Sequence, residues 1–373
     1  MRKNIFVAIA AVLTSGAMHA QLSAPARTGQ YGFTQLMVNG WSQSSGMGNA
    51  SAALVSGVES FHWNIAGLGK VNGTELVFSR SAWLVGTGIN INSFGFAQAL
   101  SGGKGVVGMA ISSFSLGQIP ITTYDQPDGG IGTYKPSISN INLGYAYNFG
   151  DKISAGINVK LASESTPDVN VGAFGIDAGL QYADLLTKST VKYMNPDANP
   201  AAARGSDIRF GVSIKNLGTD AKYKGDGLAA KSNIDGKSYS QTTSQRADKT
   251  PLPSFINIGL AYDFRLDNQK DRYWHRLTTG FSFTNNSAAP NQTSLGFEYA
   301  YREMLMLRAG YNYEEGIFNY DTRNNAYTGM NIGATVQLPL DKKRDNVIGI
   351  DYSYRHTNPF NGTHTFGMRI SIN

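Results

Sequence analysis

The feature that most restricts how this chain can fold is a side-chain alternation of period two, repeated from about residue 73 to the C-terminus. In 347–355, Ile348, Ile350, Tyr352 and Tyr354 share one face, and Gly349, Asp351, Ser353 and Arg355 share the other. Phe366, Met368, Ile370 and Ile372 alternate with Gly367, Arg369 and Ser371. Ile208, Phe210, Val212 and Ile214 alternate with Arg209, Gly211, Ser213 and Lys215, and Ile256, Ile258, Leu260, Tyr262 and Phe264 follow the same rule. Successive side chains of a strand point to opposite faces, so this period marks strands. A single segment of this kind would suit a half-buried strand of a soluble sheet equally well. What discriminates is the second face, which repeatedly carries Gly, Ser, Thr, Asn and single charges. Strands of about 9–11 residues with apolar side chains out and polar ones in are what a transmembrane barrel requires.

Counting such segments gives fourteen: 73–84, 88–100, 105–117, 138–150, 152–163, 170–184, 207–217, 254–264, 275–285, 292–302, 305–314, 327–338, 346–356 and 364–372. An even number lets both chain ends lie on one side of the membrane. With the ends in the periplasm, the tight corners at Phe149-Gly150-Asp151 and 301–304 are periplasmic. The long polar stretch 218–253, the Gly- and Pro-containing 118–137 and the 315–326 loop are then extracellular. Short inner turns and long outer loops are the expected asymmetry. The segment 185–206 breaks it, being long and on the periplasmic side. Tyr145, Tyr147, Tyr299, Tyr301, Tyr311, Tyr313, Tyr352 and Tyr354 fall near strand ends, where an aromatic girdle sits at the membrane interface.

Composition agrees. Charged residues make up 16% of the chain, against about 25% in a typical globular protein, and the mean hydropathy is −0.23. The longest apolar run, 5–13, falls short of the roughly 20 residues that a membrane-spanning helix needs. There is no cysteine, which removes disulfides, thiolate ligands and Cys nucleophiles. The net charge of +6 is too weak and too diffuse to imply a nucleic-acid partner. Arg2 and Lys3, the apolar run 5–13 and the small residues of 14–20 follow the pattern of a secretory signal, with cleavage expected after Ala20 or Ala17. The expected organisation is therefore a signal peptide at 1–20, a separate segment at 21–70 and a barrel at 71–373.

Residues 21–70 do not alternate and are rich in Gly, Ser, Ala and Asn. A fourteen-strand barrel leaves a lumen too wide for its own side chains to fill. A compact segment preceding the first strand is the natural plug. Two stretches here, Gly46-Met47-Gly48-Asn49-Ala50 and Trp63-Asn64-Ile65-Ala66-Gly67-Leu68, resemble the opening signature of the PorV/PorQ family of outer-membrane barrels, which is related to the FadL-type transporters. The resemblance continues in Gly211-Val212-Ser213-Ile214-Lys215-Asn216-Leu217-Gly218. It returns in Leu295-Gly296-Phe297-Glu298-Tyr299-Ala300-Tyr301 and Leu307-Arg308-Ala309-Gly310-Tyr311. One departure is Ile65, where the family usually has Pro, so the corner before the first strand lacks the fixed φ of proline.

The resemblance implies a FadL-like, all-β transmembrane barrel with an N-terminal plug in the cell outer membrane. It further implies a non-enzymatic component of the type IX protein secretion system. The implied partners are outer-membrane lipid, translocon or attachment-complex proteins and the C-terminal signal domains of cargo. The alternative is a FadL-like channel for hydrophobic small molecules. No nucleophile–base pair can be named, and no catalytic, cofactor-binding or metal residue is assigned. The five histidines, His19, His62, His275, His356 and His364, lack ligand-like spacing. The stretch 225–232 misses the second Gly of a phosphate-binding loop, and Ser189 to Lys192 has the spacing of a penicillin-binding site without its companion motifs. Arg209, Lys215, Glu298, Arg308, Asp351 and Arg369 are expected to face the lumen and to pair with each other and with the plug, because charges facing lipid are costly.

Overall fold

The computed structural model describes residues 29–184, 208–233, 239–266, 274–341 and 346–373. The expected signal peptide, the irregular 185–206 segment and the Ser189–Lys192 spacing lie outside the described residues. Fourteen strands close into one antiparallel barrel. They are β1 Thr74–Ala82, β2 Asn90–Ala99, β3 Val106–Ser115, β4 Ser137–Phe149, β5 Ile153–Ser165, β6 Asn170–Asp184 and β7 Ile208–Gly218. The second half is β8 Phe255–Arg265, β9 His275–Asn286, β10 Gln292–Tyr301, β11 Leu305–Glu314, β12 Tyr327–Pro339, β13 Val347–Thr357 and β14 Thr363–Ile372. β1 pairs with β14 from Thr74↔Ile372 to Ala82↔His364 and closes the wall. Every expected segment is a strand, and both chain ends of the barrel lie on one side.

The alternation has the cause expected of it. On β5, Ile157, Val159 and Leu161 are exposed on the outside, while Asn158, Lys160 and Ala162 between them are buried inside. A bilayer would cover this outer band, which continues through Phe78, Leu143, Ile332, Ile350 and Phe366. The eight tyrosines share the parity of the outward-facing apolar residues on their strands and stand on the outer face.

The outer loops carry more structure than an irregular reading suggests. Within 218–253, Ala229–Asn233 pairs with Ser240–Ser244, and Ala221 bridges to Thr250. Within 118–137, Ile119–Pro120 pairs with Thr133–Tyr134. In the stretch 225–232, Asp226–Leu228 form a single 3-10 turn and the residues from Ala229 on belong to the first of these exposed ladders, so no strand-to-helix turn exists there to cradle a phosphate.

The lumen is filled by residues 29–73. They form short turns rather than long helices: Thr34–Met37, Ser42–Ser45, Gly57–Phe61 and Ile65–Lys70. No helix among the described residues is long and apolar enough to cross a membrane.

Candidate functional site: the plugged lumen

The plug crosses the barrel from the end that bears the long loops to the end where β1 begins and β14 ends, the ends expected to be extracellular and periplasmic. At the outer end the Gly32 N–H donates to the Pro251 carbonyl, 3.2 Å away in the 219–254 loop. Phe33 and Leu36 are buried there with Val171, Ala173 and Leu252. Lower down, Trp41, Val58, Phe61, Ile65 and Leu68 form a buried apolar seam against Val77, Val106 and other small residues of β1–β4. The segment then leaves through Val71 into β1.

The wall meets the plug through glycine. A Cβ placed on Gly296 or Gly310 would stand 2.6 Å from the Met47 carbonyl, and one on Gly156 would stand 2.8 Å from the Ile65 carbonyl. One on Gly144 would lie 2.7 Å from the Phe61 ring. Twelve of the fourteen strands, all but β1 and β13, place such a glycine against the plug. Several are cross-strand partners, such as Gly211↔Gly259 and Gly280↔Gly296↔Gly310. The absence of side chains lets the plug backbone lie directly on the wall, the close approach that only glycine permits. Gly48, at φ +61°, adds the matching turn on the plug side, against the Tyr311 N–H.

The family-like motifs converge on this contact. Met47 and Gly48 of the first motif face Gly296 and Gly310 of the last two. Asn64 of the second motif is fully buried, and its amide donates to the carbonyls of Ala52 (2.8 Å), Leu180 (3.1 Å) and Val212 (3.3 Å). Its Oδ1 also accepts the Ala66 N–H and caps Ile65–Lys70. The corner that lacks proline is thus held by the Asn64 cap, and Ile65 is buried in the seam. In the 211–218 motif, Ser213 donates to the Trp63 carbonyl (2.7 Å), and the Lys215 ammonium donates to the carbonyls of Phe61 (2.6 Å) and His62 (2.9 Å).

All six expected lumenal charges face inward. Lys215 joins Lys160 in pairing with buried Asp177, at 3.1 and 3.0 Å. Asp177 also accepts from Asn158 and from the Asn216 N–H, each at 2.7 Å. That geometry depends on a bulge in β7, where the pairing with β6 slips between Ile176 and Ala178 and Asn216 adopts φ 57°. Near the periplasmic end, Arg209 pairs with Asp263, and Glu298 bridges Arg276 (2.9 Å) and Arg308 (2.6 Å). Arg308 continues through Thr335 to Asp351. Arg369 reaches the plug itself, donating to Gln43 Oε1 at 2.8 Å. Pairing within the wall and with the plug accounts for these charges.

A cavity of about 540 Å³ lies under the plug at the periplasmic end, lined by Glu59, Lys70, Arg209, Arg276, Glu298 and Arg369 among others. It is polar. Within it the Glu59 carboxylate accepts the Ser44 N–H (2.7 Å) and the Gln43 N–H (3.0 Å), yet its burial raises its pKa above the ordinary carboxylate value. Burial, with Arg209 nearby, pushes the Lys70 ammonium down to about 7. Among the described residues no group of three or more His, Asp or Glu is placed to hold a metal ion. Glu59, Asn158, Lys160, Asp177 and Gln181, all buried around the plug, carry no motif and are visible only in the fold.

No protein-family model matches this chain, and no curated protein is similar to it. Solved structures are. The Pseudomonas putida toluene transporter TodX is 12% identical, with a TM-score of 0.52, over 89% of this chain and 97% of that one. The Ralstonia pickettii toluene transporter TbuX is 14% identical, with a TM-score of 0.49, over 89% and 97%. A Pseudomonas aeruginosa FadL homologue is 10% identical, with a TM-score of 0.46, over 88% and 96%. The TodX match supports a shared barrel fold; at such identities the likeness concerns the fold alone.

Proposed function

We propose that this chain is a non-enzymatic outer-membrane transport barrel that stands closed at rest. The observation that carries this reading is the belt of wall glycines on twelve strands, each of which brings the wall into close contact with the plug. Purified protein in a planar bilayer is expected to show no steady wide-pore conductance, and such conductance in the intact chain would overturn the reading.

What the barrel moves has two readings. A channel for hydrophobic small molecules is the reading that the shared fold favours, since the toluene transporter TodX has a barrel of this fold. The apolar seam of Trp41, Val58, Phe61 and Leu68 against β1–β4 is the surface such a route would use, because the open cavity is polar. A component of the type IX secretion system, binding cargo signal domains or supporting the translocon, rests on the motif resemblance; no comparison supports it directly. A gene deletion separates the two. Reduced uptake of a labelled monoaromatic compound with normal cargo display supports the channel. Loss of surface cargo with normal uptake supports the secretion role, for which shortening 220–250 to a tight turn is expected to act like the deletion.

A further inference from the structure

The outer wall carries a cationic break at one place. Along β1 the outward side chains are Thr74, Leu76, Phe78, Arg80 and Ala82, so an arginine stands directly above the apolar pair Leu76 and Phe78 on the lipid-facing side. Arg80 is exposed and makes no hydrogen bond or ion pair among the described residues. It lies opposite Phe366 on β14, and the next outward residue toward the extracellular end is His364, opposite Ala82. On β13 the outward row ends in Tyr354 and His356. Each histidine uses its Nδ1 on a hydroxyl, Tyr352 at 2.8 Å for His364 and Thr328 at 2.7 Å for His356, which leaves Nε2 for another partner. On the other flank Asn92 lies opposite Arg80.

Among the described residues no carboxylate pairs with this cation. The outward positions of β13, β14, β1 and β2 include no Asp or Glu, and neither do the loops 83–89 and 358–362 that join these strands. The acidic residues Glu315 and Asp321 belong to the 315–326 loop beyond β13, which reaches Asn358 through Arg323 at 2.6 Å. Those loops are short, unlike 116–136 and 219–254 on the far side. The rim is therefore low here, and Arg80 stands just past the apolar band, at the level where lipid headgroups begin. A guanidinium presents a planar fork that matches phosphate oxygens, and it keeps its charge at every relevant pH.

We propose that Arg80, flanked by His364, His356 and Asn92, binds the phosphate of an anionic glycolipid of the lipid A class in the outer leaflet. This rests on the outer-membrane reading, which cell fractionation tests separately. The site is read on the purified full-length protein in nanodiscs. These are doped with bisphosphorylated lipid A, with the same lipid after phosphatase treatment, or with phosphatidylglycerol, and retained lipid is counted by native mass spectrometry. The wild type is expected to retain bisphosphorylated lipid A in preference to the other two, and millimolar inorganic phosphate is expected not to displace it. Arg80→Gln is expected to weaken retention about tenfold, the loss typical of one charge-assisted contact. Arg80→Lys should keep part of it, and Lys249→Gln, in the distant 219–254 loop, all of it. The heat-dependent gel shift of each variant reports that the barrel has folded. Equal retention by wild type and Arg80→Gln overturns the proposal, as do equal retention of the dephosphorylated lipid and an equal loss in Lys249→Gln.

Discussion

Replacing Gly310 by alanine puts the glycine belt under direct load. The new Cβ would stand 2.6 Å from the Met47 carbonyl oxygen, roughly 0.8 Å inside an ordinary contact, with the Gly48 backbone beside it. The plug cannot retreat freely, because across the lumen Val58 already fills the space over Gly95 and Phe61 that over Gly144. Inserting one methyl into a packed site of this kind costs about 1–3 kcal/mol. That corresponds to a shift of roughly 5- to 150-fold in the ratio of seated to unseated plug. Gly310→Leu adds three further carbons at the same spot and should unseat the plug outright. Planar-bilayer recordings are expected to show rare openings for Gly310→Ala and sustained conductance for Gly310→Leu, approaching that of a chain lacking 21–60. The gel shift should remain, since the β10–β11 and β11–β12 ladders need no side chain at 310. If Gly310→Leu stays electrically silent and its plug stays protected from added protease, the belt does not hold the plug and the reasoning fails.

Asp177→Ala strands two buried ammonium groups, Lys160 and Lys215, and is expected to cost about 3–5 kcal/mol, read as a lower urea midpoint of the gel shift. An unchanged midpoint would remove the pair from the stability account. Lys70 has a folded-state pKa of about 7, depressed from its free value. Its contribution to plug docking is therefore fully present above roughly pH 10.4 and is lost as pH falls through about 7. The same shift leaves its amine largely neutral at pH 7.5, so a small acylating reagent should label Lys70 well ahead of exposed Lys104 by peptide mass mapping. Labelling at equal rates would contradict the shift.

The strands were legible because alternation is local: a residue's face depends on its parity along the chain, and no distant contact is needed to know it. The inward direction of Arg209, Lys215, Glu298, Arg308, Asp351 and Arg369 followed from the same parity together with the cost of charge in lipid. The role of the glycines was not legible. A glycine facing water and one pressed against a plug look alike in sequence, and only the seating of Met47 on Gly296 and Gly310 separates them. The Asp177 network was hidden for a related reason. It is built on a bulge at Asn216, where one extra residue on β7 resets the parity, and its members come from β5, β6 and β7. At Ile65 the missing proline suggested a looser corner, but the compensating cap is Asn64, one residue upstream and already part of the motif.

The fit between plug and wall also bears on the order of assembly. A segment bearing Trp41, Phe61 and Trp63 cannot be threaded through a finished cylinder whose wall touches it on nearly every side, with Phe33 packed with Leu252 at the outer mouth. The wall has to wrap around it. Residues 29–73 are then already in place as the strands close around them. Joining β1 to β14 completes that wall, with the first strand tethered to the enclosed segment where the Val58 N–H donates to Glu75.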